Sequence, residues 1–600
     1  MEENKIRQRC EIPEEDKWAV TDIYPSDEAW EAEAATIEQE KQMLMTYAGH
    51  LADSADKLYE YLTNMERVDQ VVSKLAGYSM RRADEDTRVA AYQAMVGKLM
   101  GMAVGLGAAT SFETPEIMAI PDETMDRFYA EKPELERYRR YLTNMRRMKA
   151  HTLSAEEERL LAAAGEMAQA PDNIYGMFAD ADLKFEDAVD AEGKAHPLSQ
   201  GTFVALESGS DRTLRKSAYE NLYKGFGNFK NTAAGLLNAQ NKQLKFFAEA
   251  RKYPNAFEAA LDRTNVPTSV YLNLIEAVHQ NMDKMHRYVR LRKKVLGLDE
   301  LHFYDVYTPL LPADEQKIPF NVAQENILES IKPMGKDYCD VMKSGFENRW
   351  IDKYQNEGKR SGAYSSGVKV HPFVLMNYNG TLNSEFTLAH EMGHAMHSYL
   401  SNKTQNPIDA GYVIFVAEVA STCNEALLME YLLNKTTDKQ ERIYLINHFL
   451  DQFKGTIYRQ TMFAEFELFM GRQVAEGKTL TAEMLCAEYK RLNELYYGPD
   501  MVVDDQIALE WARIPHFYYN YYVFQYATGY SAAIALSRRI LNEGEEAVKD
   551  YIGFLSGGCS KSPIDLLRGA GVDMESPEPV NQALALFGEL LDEMEKLMAE

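Results

Sequence analysis

Cysteine is scarce in this chain of 600 residues, which contains only five. The five are far apart and include no CxxC pair: Cys10, Cys339, Cys423, Cys486 and Cys559. Such a set excludes a disulfide framework and a thiolate metal cluster, and it is typical of a reducing compartment. The chain also lacks a long hydrophobic run, because the longest one, residues 99–109, contains three glycines and is too short to span a bilayer.

The chain also contains fewer basic than acidic residues. The 65 Lys and Arg residues against 92 Asp and Glu give a formal net charge of −27. This balance argues against a nucleic acid or an anionic membrane as partner. The sequence begins with an acidic, polar stretch, Met1–Lys5, and no apolar segment follows it. We therefore expect a cytoplasmic protein, either a monomer or a weak homo-oligomer, with no nucleic-acid or membrane partner.

Most of the sequence has the periodicity of helices. Apolar residues recur every three or four positions among good helix formers, and Ser26 and Ser154 stand where N-caps are expected. The pattern changes in residues 179–204, where a short strand pair is predicted, and again in residues 358–383, where His371–Tyr378 is typical of a strand. The predicted fold is mainly α, with a helical N-terminal lobe over residues 1–200, a second domain over 201–600, and a small β-sheet before residue 390.

The most informative motif is His390-Glu391-Met392-Gly393-His394. Residues four apart lie on one face of a helix, so the two imidazoles can bind one cation. Glu391 then lies beside the metal, where it can take a proton from water. Gly393 lets another backbone or a substrate approach closely. The motif predicts a zinc site, with two incidental histidines on an ordinary helix as the alternative.

A catalytic zinc site requires a third protein ligand. A third histidine in the metzincin position is excluded, because residue 400 is Leu. His397 lies on the same face as His394 but would close the site as a fourth ligand, so we interpret it as a packing or supporting residue. The remaining solution is a carboxylate from a following helix, and the candidates are Asp409, Glu418, Glu425 and Glu430.

Glu418 is the preferred candidate, because the residues around it are small or apolar and an inward-facing carboxylate needs a partner. Glu425 lies seven residues further on the same stripe, where it can orient a ligand histidine. An ordinary interhelical salt bridge is the alternative for both glutamates.

A second unusual segment, residues 511–530, is rich in tyrosine. A helix that begins at Pro515 would bring His516, Tyr519, Tyr522 and Tyr526 near one face. Their N–H and O–H groups are suited to stabilise negative charge on a substrate oxygen. An aromatic core helix is the competing interpretation.

Three segments together, the HEMGH helix, FVAEVAST around Glu418 and RIPHFYYNYYVFQYATGYSAA, resemble the oligoendopeptidase F group of the thimet oligopeptidase-like (M3) zinc peptidases. The resemblance extends to Gly358–Gly367 and the helical N-terminal half. It implies a two-lobed helical shell around a deep channel that admits short unstructured peptides and excludes folded proteins. It also implies one Zn²⁺ per chain.

The resemblance further implies roles for individual residues. The zinc ligands would be His390, His394 and Glu418, with Glu391 as general base and later proton donor. His516 would donate to the substrate, and one or more of four tyrosines would also donate, namely Tyr519, Tyr521, Tyr522 and Tyr526. Contacts with the substrate are expected from Gly362, Tyr364, Tyr378 and Tyr521, and the strand before the zinc-binding helix is expected to pair with an extended peptide.

Two alternatives remain open from the sequence. A dipeptidyl carboxypeptidase-like exopeptidase would use the same zinc site and read the free C-terminus of its substrate, for which Arg360 and Arg513 are available. A helical peptide-binding protein without catalytic activity is the second alternative, although no residue of the zinc motif is missing.

Overall fold

The chain folds mainly into α-helices, as the sequence predicts. A computed structural model describes residues 6–310 and 317–599, and 71% of the residues are helical while 3% are in strands. In chain order, the first helices are α1 Asp27–Ala34, α2 Ile37–Met45, α3 Ala55–Glu85, α4 Ala90–Ala109, α5 Glu113–Ala119, α6 Asp122–Glu131, α7 Arg139–Arg147, α8 Ala155–Ala168, α9 Ala170–Gly176, α10 Gln200–Glu207, α11 Arg212–Gly227, α12 Lys230–Ala250 and α13 Ala256–Asp262. The later helices are α14 Thr268–His279, α15 Met282–Val295, α16 Phe320–Ser330, α17 Lys336–Glu347, α18 Leu382–Thr404, α19 Ile414–Lys435, α20 Lys439–Phe453, α21 Arg459–Ala475, α22 Ala482–Tyr497, α23 Phe524–Glu543, α24 Glu545–Leu555, α25 Pro563–Gly569 and α26 Glu578–Ala599.

Serine side chains cap several of these helices. The hydroxyls of Ser26 and Ser54 accept hydrogen bonds from the third backbone N–H of α1 and α3. Ser154 forms a capping box with Glu157 at the start of α8. Each cap satisfies a backbone donor that has no partner within the helix. The starts predicted for α1 and α8 are confirmed.

The few strands are short. They are β1 Ala188–Val189, β2 Ala195–His196, β3 Leu301–His302, β4 Ile351–Asp352, β5 Tyr364–Ser366, β6 Phe373–Leu375 and β7 Met501–Val502. Strands β1 and β2 pair antiparallel, which confirms the strand pair predicted within residues 179–204. Strands β3 and β7 pair in parallel.

The sheet before the histidine motif has the strand order β4-β6-β5. Strand β6 pairs in parallel with β4 and antiparallel with β5, so both of its edges are occupied. The prediction that His371–Tyr378 pairs with an extended peptide is therefore wrong, because β6 is the central strand. Strand β5 lies at the edge of this sheet, and no strand of the described residues pairs with its outer side.

A buried lysine fixes the loop that leads into β5. The side chain of Lys359 is 0% exposed, and its ammonium donates to Asp352 Oδ1 at 2.6 Å. It also donates to the carbonyl oxygens of Tyr354 and Met376, each at 2.7 Å. A buried ammonium requires such complete pairing. This one ties the ends of β4 and β6 to the loop before the edge strand.

Two compact units account for the chain. Unit 1 comprises Met1–Ala150, Gln316–Leu432 and Leu536–Gly571, and unit 2 comprises His151–Glu315, Leu433–Ala535 and Val572–Glu600. Each unit combines segments distant in sequence, whereas the division predicted at residue 200 follows chain order and stays a prediction. In unit 1, α3 packs against α1, α2 and α4, and its hydrophobic core continues to Phe373 and Leu375 of β6.

One helical stretch, Ala90–Ala119, has the length and mean hydropathy of a membrane-spanning helix. A single stretch of this kind does not by itself indicate a membrane protein, because helices of soluble proteins meet the same criterion. The expected absence of a membrane partner stays a prediction.

Candidate metal centre and active site

Helix α18, which carries the histidine motif, begins at a well-defined cap. Gly380 has φ +79°, a backbone conformation suited to glycine in the turn after β6. The next residue, Thr381, accepts a hydrogen bond from the backbone N–H of Ser384 through its hydroxyl, at 3.2 Å. Helix α18 then packs against β5 and β6 in unit 1. The motif is thus held on a rigid element beside the edge strand.

Three side chains converge on one point. Glu418 Oε2 lies 3.2 Å from His390 Nε2 and 3.6 Å from His394 Nε2. The three ligand atoms all lie within 4.8 Å of one another, a group that can hold a metal ion. Of the four carboxylates considered from the sequence, Glu418 on α19 is the one that joins the histidine pair.

Glu425 lies behind His390. Its Oε1 accepts a hydrogen bond from His390 Nδ1 at 2.6 Å. In a neutral ring this bond places the proton on Nδ1, so that Nε2 would be the nitrogen that binds a metal, and it fixes the orientation of the ring. The structure therefore places Glu425 where the sequence predicts a supporting residue.

Gly393 explains how α19 comes close enough to contribute Glu418. A Cβ atom at this position would lie 2.7 Å from Ser421 Cα and 2.8 Å from the Ala420 carbonyl oxygen. Such distances are too short for any side chain, so glycine alone permits the contact between the two helices. The sequence predicts that either another backbone or a substrate approaches Gly393 closely, and the structure shows the approach of another backbone.

Glu391 lies between the two histidines in sequence and is only 6% exposed. Its Oε2 is buried and has no hydrogen-bond partner among the described residues. Burial raises the pKa of Glu391 above its usual value. A buried carboxylate oxygen without a partner is costly for stability and is typical of a functional group that awaits a ligand.

The histidines and Glu418 form a strongly coupled group. Burial by itself would lower the pKa of His390, but hydrogen bonds to Glu418 and Glu425 raise it well above the usual value. Burial by itself would raise the pKa of Glu418, but hydrogen bonds from His390 and His394 hold it well below the usual range. The two carboxylates thus favour positive charge at this point, whether protonated imidazoles or a bound cation carry it.

Two other candidates lie apart from the cluster. His397 is 1% exposed and stacks on Tyr412 with ring centroids 3.7 Å apart, and burial lowers its pKa to about 3. This geometry agrees with the interpretation of His397 as a packing residue. Asp409 is buried in a short 3-10 turn, where its backbone carbonyl accepts a hydrogen bond from Cys559 N.

Residues expected to contact the substrate differ in their surroundings. Gly362 lies just before β5 with φ +81°, and a Cβ atom at this position would have nothing within 4 Å. Tyr364, on β5, donates its hydroxyl to Asp84 Oδ2 at 2.6 Å. Tyr378 is 7% exposed and donates its hydroxyl to the Ile318 carbonyl oxygen at 2.8 Å. The hydroxyl of Tyr378 is therefore committed to the backbone.

The tyrosine-rich segment lies in unit 2, and its backbone differs from the predicted single helix. Residues Pro515–Tyr518 form a 3-10 turn, Asn520 and Tyr521 have φ values of 60° and 55°, and α23 begins only at Phe524. A continuous helix from Pro515 was the wrong prediction, because two residues in the left-handed region interrupt it.

Four side chains of this segment nevertheless gather into one aromatic cluster. The His516 ring centroid lies 5.5 Å from Tyr519, 6.4 Å from Tyr522 and 6.1 Å from Tyr526. Burial lowers the pKa of His516, which favours its neutral form. The predicted grouping of these side chains is present, although a turn produces it.

Tyr521 faces the interior of unit 2. It is 6% exposed, and its hydroxyl occupies a recess at Gly471, where a Cβ atom would lie 1.9 Å away. The buried carboxyl group of Glu467 accepts a hydrogen bond at Oε1 from the backbone N–H of Tyr521 at 3.1 Å. The expected contact of Tyr521 with substrate is therefore not supported, because its ring and hydroxyl are used in packing.

Comparison with known proteins agrees with this geometry. Residues 205–586 match the model of peptidase family M3, and residues 116–185 match that of oligopeptidase F. The chain belongs to peptidase family M3. Peptide hydrolysis is the reaction that membership in this family implies.

Relatives match the M3 chain along almost its whole length. Oligopeptidase PepF of Bacillus subtilis (strain 168) is 45% identical over 99% of this chain and 89% of the relative. The crystal structure of oligoendopeptidase-F from Enterococcus faecium is 36% identical and has a TM-score of 0.74, with 96% and 99% of the two chains covered. A crystal structure from Chlamydophila abortus is 35% identical and has a TM-score of 0.93, with 99% and 100% covered.

Sequence reasoning missed two buried charged residues of this M3 peptidase. Arg81 lies on α3 beside the edge strand β5, and Glu467 on α21 holds the turn before α23. Arg81 stands in an amphipathic helix and Glu467 in a helix that is buried on most of its faces, and in neither helix does the sequence distinguish the residue. Their roles depend on contacts between segments far apart in the chain.

Proposed function

We propose that this M3 peptidase is a zinc-dependent endopeptidase that hydrolyses short unstructured oligopeptides. The observation that carries the proposal is the convergence of His390, His394 and Glu418, with Glu391 adjacent to the first of these ligands. Two imidazoles and one carboxylate leave one position open, which is the ligand set of catalytic rather than structural zinc sites.

The two distances from Glu418 to the histidine nitrogens fit a tetrahedral Zn²⁺. Two ligands that each lie 2.0–2.1 Å from such an ion are separated by about 3.3 Å. The separations of Glu418 Oε2 from the two imidazole nitrogens are 3.2 Å and 3.6 Å. Little movement of Glu418 relative to the two rings is then needed for binding, and Glu425 already orients the His390 ring.

When bound, zinc supplies a Lewis acid that polarises the scissile carbonyl and makes a water molecule more acidic. Glu391 takes up the proton of the attacking water and later delivers it to the leaving amine. Its buried Oε2, which has no partner among the described residues, is available for that proton. The free edge of β5 is the place where an extended peptide adds as a strand.

We assign hydrogen-bond donation to the substrate to the aromatic cluster of His516, Tyr519, Tyr522 and Tyr526. Imidazole N–H and phenol O–H groups stabilise an oxygen that becomes negative during attack. Substitution of His516 by Phe, or of Tyr522 by Phe, is expected to lower kcat by about 10²-fold while zinc content stays unchanged. A kcat equal to that of the wild type in both variants would remove the cluster from the mechanism.

Glu391→Gln provides the decisive test of the proposal. We expect turnover of a quenched fluorescent peptide to be lost while zinc content remains near one per chain. Glu418→Ala should instead lose the metal. Glu385→Gln is a matched control, because Glu385 lies on the same helix and bonds Asn326 at 2.7 Å, so this variant should keep its activity. Substantial turnover by Glu391→Gln would contradict the assignment of the general base.

The mode of cleavage is tested separately by mass spectrometry of products. An endopeptidase is expected to cut a C-terminally amidated peptide at internal bonds, whereas a dipeptidyl carboxypeptidase should largely fail to cut it. The restriction to short peptides is tested with peptides of increasing length and with a folded protein, which should not be cleaved. Removal of zinc by a chelator should abolish all cleavage and its return should restore it.

A further inference from the structure

Arg81 occupies an unusual position in unit 1. It lies near the C-terminal end of α3, is only 6% exposed, and donates from Nη1 to Ser366 Oγ at 2.5 Å. Its guanidinium carbon lies 5.3 Å from the centre of the Tyr364 ring. Tyr364 and Ser366 are two residues apart on β5, so they present their side chains on the same face of that strand. Arg81 is thereby held beside the edge strand.

The charge of Arg81 has no acidic partner in the described part of the chain. None of its nitrogens lies within 4.0 Å of a carboxylate oxygen there, and its buried Nε has no hydrogen-bond partner. Asp84, one turn further along α3, is engaged by Tyr364 and Arg360 instead. By contrast, Arg82 on the same helix pairs with Glu85 and Asp27. A buried cation without a counter-ion is costly unless it serves a ligand.

Space for a ligand lies on both sides of this guanidinium. A cavity of about 730 Å³ lies between α3, α4 and the segment 360–366. A second cavity of about 870 Å³ lies between α3, residues 366–370 and the segment 398–412. Met80, Arg81 and Ser366 line both cavities, so Arg81 lies where the two cavities adjoin, beside β5.

We propose that Arg81 binds a carboxylate of the peptide substrate, either its C-terminus or an acidic side chain. The proposal rests on the proposed peptide hydrolysis, with the peptide added along the free edge of β5. Guanidinium is well suited to such binding, because its planar fork donates two parallel hydrogen bonds to a carboxylate. Ser366 and the Tyr364 ring fix the orientation of the fork before the peptide arrives.

The test measures binding of peptides to the zinc-loaded protein with Glu391→Gln, in which no cleavage competes. Three forms of one peptide are compared: the free acid, the C-terminal amide, and the amide with an internal Glu in place of Gln. Arg81→Met and Arg81→Lys are each combined with Glu391→Gln and measured in the same way. Arg67→Met is the matched control, since Arg67 lines the second cavity on the same helix but is paired with Glu40 through two bonds of 2.7 and 2.5 Å.

With Arg81 intact, the form with the recognised carboxylate is expected to bind about tenfold more tightly than the neutral amide. Tighter binding of the free acid would identify the C-terminus as the carboxylate that Arg81 binds. Tighter binding of the Glu-containing amide would identify an acidic side chain. Arg81→Met should abolish the preference, Arg81→Lys should retain part of it, and Arg67→Met should retain it fully. In the active enzyme the same preference is expected in KM rather than kcat.

Equal binding of all three forms with Arg81 intact would overturn the proposal, as would an undiminished preference in Arg81→Met. Thermal unfolding of each variant verifies that it is folded. If Arg81→Met does not fold, the preference for the carboxylate form is compared between Arg81→Lys and the protein with Arg81 intact. Absence of cleavage of any peptide by the zinc-loaded wild type would overturn the proposed function itself. Cleavage of all three forms with equal KM would overturn only the role of Arg81.

Discussion

Gly393→Ala is a minimal change with a large expected effect on the metal site. The added Cβ would lie 2.7 Å from Ser421 Cα, whereas ordinary contacts begin at 3.4 Å. Helix α19 would therefore have to move away from α18 by about 0.7 Å, the difference between these distances. The three obstructing atoms, Ser421 Cα and the carbonyl oxygen and carbon of Ala420, all belong to backbone, so no side-chain rotation can relieve the contact.

The displacement is large compared with the tolerance of a metal site. Metal–ligand distances vary by only about 0.2 Å, so Glu418 would no longer reach the ion together with His390 and His394. Overpacking of this kind costs about 1–3 kcal/mol of folding free energy. We expect zinc affinity to fall by about 10- to 100-fold, as it does when support of a ligand is lost, and the apoprotein to unfold at a lower temperature.

The assay is competition for zinc against a chromophoric chelator, with calorimetry of the metal-free protein. Gly97→Ala on α4 is the matched control, because nothing lies within 4 Å of its Cβ position. In a helix interior this change should stabilise by about 0.5–1 kcal/mol and leave zinc affinity unchanged. Wild-type zinc affinity and stability in Gly393→Ala would refute the conclusion that this contact positions Glu418.

Three further predictions follow from buried groups. Glu425→Gln should weaken zinc binding by about 10- to 100-fold, because the charged acceptor for His390 Nδ1 is lost; unchanged affinity in the chelator assay would contradict this. His397→Phe should keep one zinc per chain and wild-type turnover, since His397 is stacked in the core; loss of zinc would make it a ligand. Burial raises the pKa of Glu467 to about 8 from 4.5, so the folded state keeps a proton that the unfolded chain releases between these values. The stabilising effect of that proton is fully present below pH 4.5 and is lost as the pH rises to about 8. Between these two values the free energy of unfolding falls by roughly 1.4 kcal/mol per pH unit. The unfolding temperature of the wild type should thus fall relative to Glu467→Gln between about pH 6 and 8, and parallel profiles would contradict the assignment.

The sequence by itself determined the helical fold and the position of the candidate metal site. Helix periodicity, serine caps and the four-residue spacing of His390 and His394 are local properties, so they are readable without tertiary structure. The preference for Glu418 over Asp409 was also available, because a carboxylate among small and apolar residues needs a partner. The resemblance of three separated segments to M3 peptidases agreed with the later family assignment.

Tertiary structure alone decided which strand is free, how the tyrosine segment turns and which charges are unpaired. The sequence of β6 is typical of a central strand and of an edge strand alike. Only its pairing with β4 and β5 shows that it is central. In the turn at Asn520 and Tyr521, the backbone N–H of Tyr521 donates to the carboxyl group of Glu467, which is 54 residues away in sequence. Arg81 and Ser366, the pair on which the carboxylate site rests, are 285 residues apart. Contacts at such separation leave no periodic pattern in either segment, because each partner alone resembles an ordinary surface residue.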